Sequence, residues 1–197
     1  FACILKACGQ IKDLKKGQEV HEDIKRWGGL ERDTYVGNAL VSMYAKCGLL
    51  TKAQEVFDEL QVQDVVTWTA LIDGYTEHGH GEEALCLYDK MLLDGIYPNA
   101  ITFCCLLKAC GSIQAVDKGT EIHGHIDRMG LLESNLYVAN ALVNMYCKHG
   151  LVEKAAKVFN RLSTRDVVSW TALIAGCVEY GDSMKALEYF EEMKAAG

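Results

Sequence analysis

The side chains able to do chemistry in this chain are six histidines, nine cysteines and 27 carboxylates, and their spacing limits what they can do together. Two histidine pairs stand two residues apart, His78-x-His80 and His123-x-His125. Side chains two apart on a helix point in different directions, so neither pair forms a joint grip on a metal ion from a helical face. The first pair also falls in a turn sequence, His78-Gly79-His80-Gly81. His21 returns as His123 and reads as a packing residue. Among the cysteines there is no Cys-x-x-Cys, and Cys3 and Cys8 return as Cys105 and Cys110 on apolar helical positions. An odd number of such cysteines fits reduced, buried small hydrophobes rather than disulfides or a zinc site. A Gly-rich phosphate loop, a Gly-x-Ser-x-Gly elbow and a His-Glu-x-x-His run are all missing. No catalytic residue, metal or cofactor is expected, which leaves non-covalent binding.

The elements that would position a binding surface follow from an internal repeat. Shifted by 102 residues, the chain aligns with itself, Phe1 on Phe103 and Trp68 on Trp170, with about half of the aligned positions identical. A fixed period marks a repeat array in which each unit buries its apolar face against its neighbours. Each period divides into three pieces, 65–99, 100–135 and 136–166, and each reads as helix, turn, helix. Trp68, Leu71, Ile72 and Tyr75 mark one apolar stripe, and Ala84, Leu85, Leu87, Tyr88 and Met91 the next. Val138, Leu142, Met145 and Tyr146, then Ala155, Val158, Phe159 and Leu162, do the same in the third piece. The fold expected is an all-α solenoid of about six hairpins and about twelve helices.

Half of the 197 residues are hydrophobic, and the mean hydropathy is near zero at +0.01. No run of about 18 apolar residues offers a membrane span. The single proline, Pro98, leaves helices uninterrupted. Because the sequence opens at Phe1 inside a repeat, it reads as a piece of a longer chain, and its uncapped ends invite self-association. A net charge of −7 and a pI near 5.4 count against a nonspecific polyanion binder.

The strings Val-Val-Thr-Trp-Thr-Ala-Leu-Ile-Asp-Gly-Tyr (65–75), Tyr-Val-Gly-Asn-Ala-Leu-Val-Ser-Met-Tyr-Ala-Lys-Cys-Gly (35–48) and Leu-Leu-Lys-Ala-Cys-Gly (106–111) lack the Trp, Leu-Gly and Tyr pattern of tetratricopeptide repeats. They closely resemble plant pentatricopeptide-repeat proteins of the PLS subclass, which alternates standard, long and short motifs. The resemblance implies a right-handed superhelical α-solenoid. Its motifs would be a truncated long one at 1–33, short at 34–64, standard at 65–99, long at 100–135, short at 136–166 and a truncated standard one at 167–197. It also implies single-stranded RNA as partner, one base per motif, with the second residue packing on base faces and the fifth and last reading the base edge.

Carried over, the base-packing residues are Tyr35, Val66, Ile101, Tyr137 and Val168. The reading pairs are Asn38 with Asp64, Thr69 with Asn99, and Asn140 with Asp166; Thr171 stands alone. Cys104 with Asn135, and Ala2 with Asp33, occupy these places in the long motifs and leave their bases unassigned. Uracil and guanine offer an imino N–H that suits Asp64 or Asp166, whereas adenine and cytosine offer a ring nitrogen that suits the amide of Asn99. A short Thr leaves room for a purine and a longer Asn favours a pyrimidine. The order expected is x-U-A-x-U-purine, 5′ to 3′.

Lys46 and Lys148, at the thirteenth place of the short motifs, would reach phosphates. Glu77 and Glu179 stand at that place in the standard motifs and would repel them. Glu82, Glu83, Glu191 and Glu192 lie on second helices, facing away. The family resemblance further implies a mitochondrial or chloroplast factor for RNA editing or processing, with protein partners of an editing complex. Some relatives end in a zinc deaminase with His-x-Glu and Cys-x-x-Cys, a signature this chain does not meet. The alternative reading is a scaffold for protein–protein interaction, as many helical-hairpin solenoids are.

Overall fold

The computed structural model describes residues 1–28 and 33–196. Of the expected motifs, residues 29–32 of the first and Gly197 of the last lie outside the described residues. The described residues form thirteen helices: α1 (Ala2–Ile11), α2 (Leu14–Arg26), α3 (Thr34–Lys46), α4 (Leu50–Glu59), α5 (Val65–Glu77), α6 (Gly81–Leu93), α7 (Ala100–Ile113), α8 (Val116–Arg128), α9 (Leu131–Ser134), α10 (Leu136–Lys148), α11 (Val152–Asn160), α12 (Val167–Glu179) and α13 (Ser183–Ala196). They divide into two compact units, Phe1–Cys105 and Leu106–Gly197, with the boundary inside α7.

In the first unit α1, α3 and α5 pack side by side as one layer, while α2, α4 and α6 each fold back on the helix before them. In the second unit α10 and α12 stack in the same way, backed by α11 and α13. The stacking of first helices rests on small side chains at the crossing. A Cβ added to Gly74 of α5 would sit 2.5 Å from the Cβ of Ala45 on α3. One added to Gly176 of α12 would sit 2.6 Å from the Cβ of Cys147 on α10. Gly74 and Gly176 hold equivalent places in the repeat, so the close approach is built in twice.

Between the layers lies the core expected from the apolar stripes. Leu71, Ile72, Tyr88 and Met91 are fully buried in the first unit, and Leu142, Phe159 and Leu173 in the second. Trp68 meets Phe57 edge to face with ring centroids 4.6 Å apart, and Trp170 meets Phe159 at the same separation. Such pairs add to the area they bury because ring edges and faces carry opposite partial charge. His21 and His123 pack as expected: each ring Nδ1 lies 2.8 Å from a hydroxyl, that of Tyr44 and that of Tyr146.

Two details depart from the sequence reading. The helix count exceeds twelve because α9 forms a single extra turn, opened by Gly130 in the left-handed region (φ 64°) and pinned by buried Leu132. The cysteines are not uniformly buried. Cys8, Cys105, Cys110, Cys147 and Cys177 are buried, but Cys3 and Cys86 are exposed, because each lies on the face of its helix turned from the core.

Candidate nucleic-acid interface

Five first helices start with the same arrangement: a polar residue at the N-cap, then an exposed apolar side chain at the second helical residue. The caps are Asp33, Asp64, Asn99, Asn135 and Asp166, and each side chain accepts from backbone N–H groups of its helix. A capping oxygen satisfies donors that the first helical turn cannot pair internally. Just inside the caps, Tyr35 is 81% exposed and Tyr137 83%, with Val66, Ile101 and Val168 also open to solvent. These exposed apolar side chains recur at one register outside the core, and they are the five residues expected to pack on bases.

Two of the caps, Asp64 and Asp166, also meet the fifth residue of the preceding first helix. Asn38 Nδ2 donates to both carboxylate oxygens of Asp64, 3.2 Å each. Asn140 Nδ2 donates to Asp166 at 3.1 and 3.4 Å. A carboxylate is acceptor-only, so these contacts fix which end of each amide faces it. Oδ1 of Asp64 is occupied by the N–H groups of Val66 and Thr67 at 3.0 and 2.9 Å. Oδ2 takes only the Asn38 amide and keeps acceptor capacity. Asn99 is the opposite case. Its Oδ1 takes the Thr102 N–H at 3.0 Å as helix cap, which leaves Nδ2 as the donor outside the cap. Capping therefore decides what each residue presents: an acceptor where it is Asp, a donor where it is Asn.

Among the described residues no direct hydrogen bond joins Thr69 to Asn99. The Thr69 hydroxyl donates to the Val65 carbonyl at 2.6 Å and lies 2.7 Å from the Thr102 hydroxyl, which in turn lies 3.1 Å from Asn99 Oδ1. Thr171 donates to the Val167 carbonyl at 2.6 Å. Cys104 is half-buried, and burial pushes its thiol up from the usual range. Asn135 caps α10 through Val138 N–H at 3.2 Å. Sequence reasoning missed the hydroxyls Thr67, Thr102 and Ser169, which are fully buried among these groups. The signal was present as Asp-x-x-Thr (64–67), Asn-x-x-Thr (99–102) and Asp-x-x-Ser (166–169), the spacing of a capping box.

Burial works to raise the carboxyl of Asp64, but the Thr67 N–H, the Thr67 hydroxyl and the Asn38 amide outweigh it and hold the group below its ordinary value. At Asp166 the Ser169 N–H has the largest effect and the Asn140 amide adds to it, again lowering the group. Both are carboxylates at neutral pH.

In the second unit these residues line one open hollow of about 560 Å³ between α10 and α12, walled by Tyr137, Asn140, Asp166, Val168 and Thr171. Its lining combines apolar Tyr137 and Val168 with polar Asn140, Asp166 and Thr171. The lysines differ from one another. Lys148 is exposed, whereas Lys46 is half-buried in a cleft of about 290 Å³ that it shares with Lys12, Asp73, Glu77 and His78. The two carboxylates there offset its charge.

Among the described residues no group of three or more His, Cys, Asp or Glu is placed to hold a metal ion, and no helix is long and apolar enough to cross a membrane. A His-x-Glu spacing does occur at His80-Gly81-Glu82, where the exposed His80 precedes α6 without a side-chain capping bond and its ring lies 3.3 Å from the Glu83 carboxylate. No cysteine pair accompanies it.

Sequence comparison accounts for this repeating design. The PPR repeat family model matches residues 63–112, and the PPR repeat model matches 38–65, 137–167 and 168–197, together well over half of the chain. The chain belongs to the pentatricopeptide-repeat family. A pentatricopeptide repeat-containing protein of Arabidopsis thaliana is 43% identical over 195 residues, 98% of this chain and 26% of the relative. A chloroplastic one from the same plant is 40% identical over 98% of this chain and 31% of the relative. A mitochondrial one is 39% identical over 100% and 31%. The chain thus spans roughly a quarter to a third of the length of these pentatricopeptide-repeat relatives. The crystal structure of the pentatricopeptide repeat protein PPR10 in complex with an 18-nt psaJ RNA element shares its fold, with a TM-score of 0.78 at 22% identity over 93% of this chain and 28% of the other. The crystal structure of the pentatricopeptide repeat protein PPR10 from maize gives 0.63 at 22% identity over 100% of this chain and 34% of the other.

Proposed function

We propose that this chain binds single-stranded RNA base-selectively, one base per hairpin, as the target-recognition segment of an organellar RNA-editing or RNA-processing factor. The observation that carries the reading is the hollow between α10 and α12. Its walls, Tyr137 and Val168, are apolar and stand beside the Asn140–Asp166 pair, which supplies an amide donor and a carboxylate acceptor. A flat heterocycle with a hydrogen-bonding edge matches that pattern, since stacking holds the ring while the pair tests its edge. Asn38 and Asp64 repeat the arrangement in the first unit beside Tyr35 and Val66.

With Asp64 and Asp166 ionised, each Asn–Asp pair favours uracil. Thr69 with the outward amide of Asn99 favours adenine, and Thr171 favours a purine. The order proposed remains x-U-A-x-U-purine along motifs 1–33, 34–64, 65–99, 100–135, 136–166 and 167–197, with Cys104, Asn135 and the other long-motif positions unassigned. Lys148, and less strongly Lys46, would meet phosphates. The 35–36–31 rhythm supports the PLS subclass, and the chloroplastic and mitochondrial relatives support an organellar site of action. The crystallised complex of PPR10 with RNA supports RNA as ligand.

Fluorescence anisotropy at low salt tests this. A labelled RNA with the proposed bases is compared with one in which the assigned bases are exchanged. Preferential binding of the first is expected. Equal weak binding to both would reduce the interaction to charge, and no binding by the folded, monomeric chain would favour a protein-binding scaffold.

A further inference from the structure

The third residue of each first helix varies with the fifth residue of the helix before it. Thr67 follows Asn38, Thr102 follows Thr69, and Ser169 follows Asn140. Where that place holds no amide or hydroxyl, the third residue of the next helix is valine: Val138 follows Cys104, and Val36 follows Ala2, which opens α1 and aligns with Cys104 in the repeat. All five junctions obey the rule. Capping does not demand it, because α3 and α10 start on Asp33 and Asn135 with valine at this place.

Proton accounting shows what the hydroxyls do instead. The Thr67 oxygen accepts from the Asp64 N–H at 3.1 Å, and its one proton can go to Asn38 Oδ1 at 2.9 Å or Asp64 Oδ1 at 2.8 Å. The hydroxyl stands between both oxygens and its proton is shared: the Asp64 carboxylate it helps to hold below its ordinary value also takes two backbone donors and the Asn38 amide, whereas among the described residues Asn38 Oδ1 takes this hydroxyl alone. The Thr102 oxygen accepts from the Asn99 N–H at 3.2 Å. Since Thr69 gives its proton to Val65, the Thr102 proton goes to Thr69. Ser169 points elsewhere, donating to the Asp166 carbonyl at 2.8 Å, and Asn140 Oδ1 is then buried without a partner.

We infer that Thr67 and Thr102 are positioning residues for base selection, each holding the fifth residue of the preceding helix in one orientation, an inference that rests on the RNA-reading function proposed above. Thr67 pins the Asn38 carbonyl so that Nδ2 stays beside Asp64; Thr102 orients the Thr69 hydroxyl toward its own helix. Ser169 performs only the Asp166 half of the task. The consequence is a third determinant at the Asn38 and Thr69 sites, drawn from the next hairpin.

The test compares Thr67→Val with Thr67→Ser. Valine has nearly the same shape and occupies this place at α3 and α10, so the fold is retained. Two labelled RNAs differ only in uracil or cytosine at the base assigned to Asn38–Asp64. The uracil preference of the unchanged chain is expected to fall about fivefold in T67V, the factor that one hydrogen bond of ordinary net strength represents. T67S keeps it, and Tm changes little in either. A preference that survives T67V intact, or one that T67S loses equally, overturns the positioning role. No preference in the unchanged chain contradicts the RNA-reading function itself. In that event, hydrogen exchange of the Asn38 side-chain amide still decides whether Thr67 orders it: faster exchange in T67V is expected, and equal exchange overturns the role.

Discussion

The amide of Asn38 is clasped by the carboxylate of Asp64 across 26 residues of sequence, 3.2 Å to each oxygen. The same carboxylate caps α5, so one side chain starts a helix and faces its neighbour. The two roles share a pH dependence. Because Asp64 and Asp166 titrate below their ordinary value of 3.8 in the folded chain, the stability they add is present above that value and is lost as pH falls through their folded values. Urea unfolding from pH 7 down to 3 should show this loss at the acid end, and it should shrink in Asp64→Asn, which keeps the cap without the titration.

Exposed aromatic residues separate binding from stability. Tyr35→Ala and Tyr137→Ala remove side chains that are 81% and 83% exposed, so the unfolding free energy from urea titration should change by no more than about 0.5 kcal/mol. RNA affinity should fall by about 1–3 kcal/mol for each, the range for base–aromatic stacking. Anisotropy and unfolding on the same samples check both halves.

Gly74 and Gly176 give the reverse pattern. Alanine at either place forces its methyl group against the backbone or Cβ of Ala45 or Cys147, and crowding a packed crossing costs about 1–3 kcal/mol. Thermal unfolding should register the loss. Alanine at exposed Gly79 meets no neighbouring atom within 4 Å, so any loss there reports its left-handed backbone alone.

His123 adds a second acid sensitivity, in a higher pH range. Burial lowers its imidazole below the ordinary 6.5, and the pull of Asp127 does not restore it. The unfolded chain therefore takes up the proton first, so stability contributed by neutral His123 is lost as pH drops below 6.5. Urea midpoints at pH 7.5 and 5.5 should differ by less in His123→Gln than in the unchanged chain.

The sequence showed its helices through apolar stripes such as Trp68, Leu71 and Ile72, because a 3.6-residue period survives in any amphipathic hairpin. It did not show α9, whose single turn is too short to carry a period. The positions of Asn38, Asp64 and Tyr35 could be read from a familiar string, but their mutual contact could not, since it joins consecutive hairpins. Thr67 and Thr102 escaped notice because a short polar residue in the first turn has an ordinary local explanation as a cap. The balance at Lys46 was equally hidden: Asp73 and Glu77 come from α5 and share its cleft only after the helices pack.

Base reading by the capped pair is most directly tested with Asp64→Asn. The amide must turn Oδ1 inward to cap α5, as Asn99 does for α7, and so must present Nδ2 outward beside Asn38. Anisotropy titrations with RNAs carrying uracil or cytosine at that single position should show the preference reversing from uracil to cytosine, with the rest of the site unchanged. An unchanged preference, or an equal loss for both RNAs, would contradict base reading by Asn38 and Asp64.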